Sequence, residues 1–263
     1  MLNVINERIR QGYRTLSFPA GEPPQLPQRY RGLPVIDSAK CPDGCRKCAE
    51  ACPTDAIEIN PQMKIDLGRC LFCTECTDHC PEGAIAYTQD FRLATRSREG
   101  LVTDGRAFQL AAALDEKSRK IFGRSLQLRQ VSAGGCNACE ADINVLGTLV
   151  FDLGRFGIKI VASPRHADGL IVTGPVTQNM KLALEKTYAA TPAPKFVIAV
   201  GACAISGGPF VDHPEQHNGC DCVLPVDLYI PGCPPHPLTI LDGILRLLGR
   251  IEHETRPSVE STP

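Results

Sequence analysis

CRKCAEACPTDAI, at residues 45–57, returns 28 residues later as CTECTDHCPEGAI, at residues 73–85. Cys45/Cys73, Cys48/Cys76, Cys52/Cys80, Pro53/Pro81, Ala56/Ala84 and Ile57/Ile85 all keep that interval; only the leading cysteine breaks step, Cys41 standing 29 residues before Cys70. Each run has the form C-x2/3-C-x2-C-x3-C-P. Thiolates on loops this short can wrap a four-iron cube and leave main-chain N–H groups free to bond its sulfides. In bacterial runs of this kind the fourth cysteine of each run serves the other cluster. The expected first set is Cys41, Cys45, Cys48 and Cys80, and the second is Cys70, Cys73, Cys76 and Cys52. Pro53 and Pro81 would turn the chain away from the metal. The competing readings are zinc and buried free thiols, but zinc sites favour two separated pairs over overlapping four-cysteine runs.

Composition points the same way. The chain has 263 residues and 14 cysteines, and its 28 Lys and Arg nearly balance 29 Asp and Glu, a net charge of −1. No basic field exists to hold nucleic acid. No apolar run approaches the roughly 18–20 residues of a membrane span. The first residues, MLNVINERIRQGYRTL, do not read as a secretory signal. The expected compartment is therefore cytoplasmic, where disulfides are rare and cysteine-rich chains bind metal.

Outward from the repeat, residues 1–32 form an arm, a weakly helical start followed by Pro-rich chain that wraps the protein's own surface, a partner or a lipid face. The two-cluster domain spans 33–90. Residues 91–125 read as a basic linker or a clamp on a neighbouring subunit, with GRAFQLAAALDEKSRKIF (105–122) as one amphipathic helix. From 126 to 251, the runs LQLRQVS, IKIVAS, GLIVTG, KFVIAVG and VDLYIPG read as strands buried on both faces of a parallel sheet. Helices are expected at EADINVLGTLVFDL, TQNMKLALEKTYAA and PLTILDGILRLLGRI, which makes this an α/β domain. Residues 252–263 read as a disordered tail.

Four of the remaining cysteines follow strands. Cys136 and Cys139 come after LQLRQVS, Cys203 after KFVIAVG and Cys233 after VDLYIPG. The carboxyl ends of parallel strands share one sheet edge, where ligands bind. The four would converge there as a third [4Fe–4S] set, with Gly134, Gly135, Gly201 and Gly232 letting the backbone approach a bulky group and Pro234 and Pro235 stiffening the last loop. Structural zinc or chance thiols are the alternative.

The 33–90 section resembles a bacterial two-cluster ferredoxin. With the flanks SFPAGEPPQLPQRYRGLP (17–34) and AIAYTQDFRLAT (84–95), it looks like the polyferredoxin-type subunits of formate hydrogenlyase and complex I. GGCNACEADI (134–143), FGIKIVASPRHADGLIVTGPVT (156–177), GACAISGG (201–208) and LPVDLYIPGCPPHP (224–237) resemble the small subunit of membrane-bound group 4 [NiFe] hydrogenases. The cluster-N2 subunit of complex I shares that fold but uses adjacent cysteines, whereas Asn137 and Ala138 separate Cys136 from Cys139 here. The C-x-x-C-E form favours the hydrogenase.

These resemblances imply a fusion of two subunits usually separate: an α+β ferredoxin-like domain followed by an α/β flavodoxin-like domain, with three [4Fe–4S] clusters in all. They imply an electron-transfer subunit beside a [NiFe] hydrogenase large subunit and membrane subunits, peripheral on the inner face of the cell membrane, with formate dehydrogenase or ferredoxin beyond. The alternative is a complex I-like NADH/ferredoxin:quinone oxidoreductase module without Ni–Fe, beside a 49 kDa-type subunit. In the hydrogenase reading Glu140 could relay protons; otherwise it is a helix N-terminal acid. Cys220 and Cys222 read as incidental loop thiols. No catalytic triad, Walker motif or G-x-G-x-x-G loop is present, and only one C-x-x-C pair lies outside the ferredoxin section. Bond-making chemistry is expected on another polypeptide.

Overall fold

The computed structural model describes residues 2–12, 14–22, 24–105 and 108–251; the expected tail at 252–263 lies outside them. Each cysteine run folds as a short helix, a turn and a strand. The first gives α2 (Lys47–Glu50) and β2 (Ile57–Ile59), the second α3 (Glu75–Asp78) and β4 (Ile85–Tyr87), after α1 (Leu2–Gln11) and β1 (Pro34–Ile36). The repeat is visible in the hydrogen bonds. Ala56 C=O accepts from Asp66 N–H and Ala84 C=O from Asp37 N–H, both at 2.8 Å. β4 pairs antiparallel with β1, and β2 with β3 (Met63–Asp66). β5 (Val102–Thr103) adds to the far edge of β3.

The second unit holds β6 (Leu126–Ser132), α5 (Ala138–Val145), β7 (Ile158–Ile160), β8 (Gly169–Thr173), α6 (Gln178–Ala190), β9 (Phe196–Val200), α7 (Ala202–Ser206), β10 (Leu228–Ile230) and α8 (Pro237–Leu247). Its strands form one parallel sheet ordered β10-β9-β8-β6-β7. Counted within the unit this is 2-1-3-4-5, the flavodoxin order, whose switch point lies between β6 and β8. Alternate side chains enter opposite cores. Leu170, Val172, Val197 and Ala199 join the core that runs on into the ferredoxin-like section, through Ile57, Leu67 and Leu101. Ile171, Ile198, Val200 and Ile230 face α8 and α5. That two-sided burial is why these strands read as unbroken apolar runs.

The linker reading requires correction. The helix expected over 105–122 exists only as α4 (Glu116–Phe122), begun by Asp115, whose carboxylate accepts from Ser118 N–H at 3.0 Å. The residues before it bond other segments: Ala111 N–H donates to Ala94 C=O and Leu114 N–H to Leu247 C=O. Tertiary hydrogen bonds thus replace helical ones, and Phe108, Leu110 and Ala111 are buried in a non-helical stretch. The segment is not a spacer either, because β5 belongs to the ferredoxin-like sheet while Thr95 bridges Tyr229 of β10. The helix expected over 140–153 is also shorter; after Val145 the chain tightens into three-residue turns at Leu146 and Gly147.

The arm does wrap the chain's own surface. Thr15 Oγ1 donates to Leu149 C=O at 2.8 Å and Leu16 N–H to Val150 C=O at 2.9 Å. Phe18 packs edge-on against Phe91, ring centres 5.6 Å apart. Among the described residues no helix is long and apolar enough to cross a membrane.

Candidate metal centres

The thiols group in space across the two runs. Cys41 lies in electrostatic range of Cys45 and Cys80, and Cys48 in range of Cys41 and Cys80. Cys70 neighbours Cys76 and Cys52, and Cys76 neighbours Cys73 and Cys52. Cys41, Cys45, Cys48 and Cys80 share a cavity of about 70 Å³ with Met63 and Pro81. Burial pushes the Cys48 thiol up to about 11 and Cys70 up to about 12. Without a cation these thiols hold their protons; a metal that draws them to thiolates releases protons on binding.

Backbone N–H groups reach the sulfurs. Ala56 donates to Cys52 Sγ at 3.2 Å and Ala84, its counterpart one repeat later, to Cys80 Sγ at 3.3 Å. Phe72 N–H donates to Cys70 Sγ at 3.3 Å. Phe72 holds a left-handed backbone, φ +54°, at the position the first repeat fills with Gly44, φ +75°.

The third set sits at the carboxyl edge of the parallel sheet. Cys139 has Cys203, Cys233 and Cys136 in range, and Cys203 has Cys233 and Cys136. Burial drives the Cys139 thiol well above its ordinary range and Cys203 up to about 12. Gly201, φ +90°, makes room directly: a Cβ there would stand 2.5 Å from Cys139 Sγ. Gly134, Gly135 and Gly232 differ from expectation, since a Cβ there would meet Thr177, Gly174 and Pro235 rather than the space among the thiols. Among the described residues no three His, Cys, Asp or Glu side chains are set to hold a single metal ion. The fit to iron–sulfur groups rests on four thiols per set, N–H groups aimed at sulfur and the cradle at Gly201.

The second and third sets face each other. Cys73 lies in electrostatic range of Cys233. Both line a cavity of about 590 Å³, together with Phe72, Pro234, His236 and Asp142. The arm closes this contact: an Arg31 guanidinium nitrogen donates to Phe72 C=O. Tyr30 stacks edge-on against His236 at 5.4 Å, and its hydroxyl lies 3.4 Å from Thr239 Oγ1.

Glu140 is 5% exposed and tied between strand ends, Oε1 accepting from Ser132 Oγ at 2.5 Å and Thr173 Oγ1 at 2.7 Å. Thr177 stands at the start of α6 without a side-chain cap. Cys220 is fully buried, which pushes it up to about 12, while Cys222 is exposed. Neither falls within the three groupings. Sequence reasoning missed Tyr87, whose hydroxyl lies 3.8 Å from Cys70 Sγ and 3.6 Å from Cys76 Sγ. The available signal was the repeat register, which sets Tyr87 opposite Ile59. Arg98 was also missed; it grips Asp66 through two bonds, at 2.7 and 2.6 Å, with Asp221 of the second unit nearby.

Comparison with known families agrees with this division. Residues 40–84 match the 4Fe-4S dicluster domain, and residues 136–247 match the family described as NADH ubiquinone oxidoreductase, 20 Kd subunit. A probable membrane-bound hydrogenase subunit, mbhJ, of Pyrococcus furiosus is 44% identical over 132 residues, 50% of this chain and 79% of the relative. Formate hydrogenlyase subunit 7 of Escherichia coli is 40% identical over 162 residues, 62% of this chain and 64% of the relative. An NADH-quinone oxidoreductase subunit of Clostridium beijerinckii is 46% identical over 120 residues, 45% of this chain and 71% of the relative. With its sheet edge, its thiols and these matches in accord, the chain belongs to the family of the NADH ubiquinone oxidoreductase 20 Kd subunit and carries a 4Fe-4S dicluster domain ahead of it.

Proposed function

We propose that this chain is the electron-transfer subunit of a membrane-associated hydrogenase complex, combining in one polypeptide two iron–sulfur modules usually made separately. Cys41, Cys45, Cys48 and Cys80 hold a first [4Fe–4S] group, Cys70, Cys73, Cys76 and Cys52 a second, and Cys136, Cys139, Cys203 and Cys233 a third. When bound, such groups accept and release single electrons at potentials set by hydrogen bonds, charge and exposure. The chain's own residues hold, space and shield them. Its bond-making partner is a large subunit carrying Ni–Fe, docked against the open side of the third set, where Cys136 is exposed. The complex is peripheral on the inner membrane face, and formate dehydrogenase or a ferredoxin lies beyond the first set.

The observation that carries this reading is the cavity of about 590 Å³ that Cys233 of the third set and Cys73 of the second line together, with the first set across the repeat. Electrons would pass between the sheet edge and the first set through the second, in either direction. The test is anaerobic isolation of the native complex with metal analysis and EPR. Twelve iron per chain, three reducible signals and nickel in a co-purifying subunit are expected. Stoichiometric zinc with almost no iron would end the reading.

The second reading is a complex I-like module without Ni–Fe, and the quinone oxidoreductase relative favours it. Iron without nickel, and no H₂-dependent dye reduction, would select it. Against it stands the two-residue gap between Cys136 and Cys139.

A further inference from the structure

The two ferredoxin-like repeats match in register but differ in what faces their sulfurs. The N–H bonds of Ala56 to Cys52 and Ala84 to Cys80 are equivalent, one for each thiol set, at 3.2 and 3.3 Å. At the ends of β2 and β4 the equivalence breaks, because Ile59 is aliphatic and Tyr87 carries a phenol. That phenol lies 3.8 Å from Cys70 Sγ and 3.6 Å from Cys76 Sγ, two members of the same set. Its ring is held against Phe72 at 6.0 Å between centres, and Phe72 N–H adds a bond to Cys70. The Arg31 guanidinium on Phe72 C=O brings positive charge to the same loop.

A cysteine bound to iron has no proton to give, so between Tyr87 and such a sulfur the hydroxyl donates. Donation to sulfur favours the more negative, reduced form of the site, and hydrogen bonds to sulfur are among the terms that set these potentials. We propose that Tyr87 is a positioning residue for charge, its hydroxyl raising the potential of the second thiol set relative to the first. The bias favours an electron on the side facing the third set. One electron changes place, no bond forms or breaks, and Tyr87 keeps its proton in both oxidation states. The inference rests on the three-site reading above and adds a direction to it.

The experiment is an EPR-monitored redox titration of the anaerobically prepared full chain, with signals assigned by Cys45→Ala and Cys76→Ala. Tyr87→Phe is expected to move the second-site midpoint to more negative potential. The first- and third-site midpoints and the iron content should stay as they were. An unmoved second-site midpoint with iron retained overturns the inference. If Tyr87→Phe loses iron, 3-fluorotyrosine placed at position 87 decides. As a stronger donor of nearly the same shape it must shift the midpoint positive, and no shift overturns the inference. Unsubstituted chain lacking the three signals overturns the underlying reading and this inference together. Three signals with an unmoved midpoint overturn the inference alone.

Discussion

A methyl group added at position 201 would stand 2.5 Å from the Cys139 sulfur, and the backbone there, at φ +90°, already excludes most side chains. Gly201→Ala is therefore expected to remove the third site's iron, about a third of the total in the three-site reading, and to leave the ferredoxin-like pair intact; iron assay and EPR check this. Glu140 makes a different demand. Ser132 and Thr173 both aim hydroxyls at its Oε1 from strand ends at the switch point. Glu140→Ala leaves those hydroxyls without their acceptor at a cost of about 1–3 kcal/mol, measurable by denaturant titration. Glu140→Gln keeps a carbonyl acceptor and is expected to cost less. In the proposed hydrogenase complex, a rate that falls in Glu140→Gln while stability holds would mark the carboxylate as a proton relay. At this scale the grouping of the ferredoxin-like thiols was legible in the local repeat, and that of Cys136, Cys139, Cys203 and Cys233 in their common place after parallel strands. Tyr87 was not, because its meaning depends on a sulfur reached through β4, and nothing in a tyrosine's sequence neighbourhood reports that.

Among the elements, α8 carries a buried ion pair. Arg246 Nε lies 2.8 Å from Asp242 Oδ2, the two side chains 2% and 1% exposed. Removing one partner takes away the opposite charge that faces the other in the core. Asp242→Ala is expected to cost about 3–5 kcal/mol, read as a loss of stability in chemical denaturation with the iron content of the surviving folded fraction unchanged. β8, β9 and β10 were legible because both faces of each are buried, which leaves an unbroken apolar run between Gly or Pro; β6 and β7 depart from that expectation, β6 alternating with polar residues and β7 burying only Ile158. α6 and α8 were legible from their length and period. The stretch 105–122 misled for a physical reason: its Ala- and Leu-rich composition suits a helix, but its N–H groups are taken by Ala94 and Leu247. Only Asp115, able to cap the turn after it, marks where the helix begins.

Across the whole molecule, the two units are locked by polar contacts as well as by a shared core. Arg98 bonds Asp66 bidentately with Asp221 beside it, and Ser206 Oγ donates to Gly68 C=O at 2.9 Å. Arg98→Ala is expected to lower stability by about 1.5–3 kcal/mol, the range for hydrogen bonds to charged groups. Because a shared core and the Ser206–Gly68 bond join the units, the loss should appear in a single unfolding transition; two separate transitions would mean that the units are energetically independent. If the proposed relay runs outward from the third set, Cys45→Ala cuts its far end. The second and third signals should still be reducible from the hydrogenase side, while electron exchange with an external ferredoxin is lost. Retained exchange would place the exit elsewhere.

The Thr95–Tyr229 bridge has a consequence for how this chain could be divided. Thr95 N–H donates to Tyr229 C=O at 3.0 Å and Tyr229 N–H to Thr95 C=O at 2.9 Å, on the outer side of the last strand in the sheet order. An uncovered strand border is a template for stray strands from other molecules. Were a gene split to release the flavodoxin-like half without residues 91–105, that border would be left bare and the fragment prone to sticking to its own kind. A soluble half would have to carry the strip with it, taking β5 away from the neighbouring sheet.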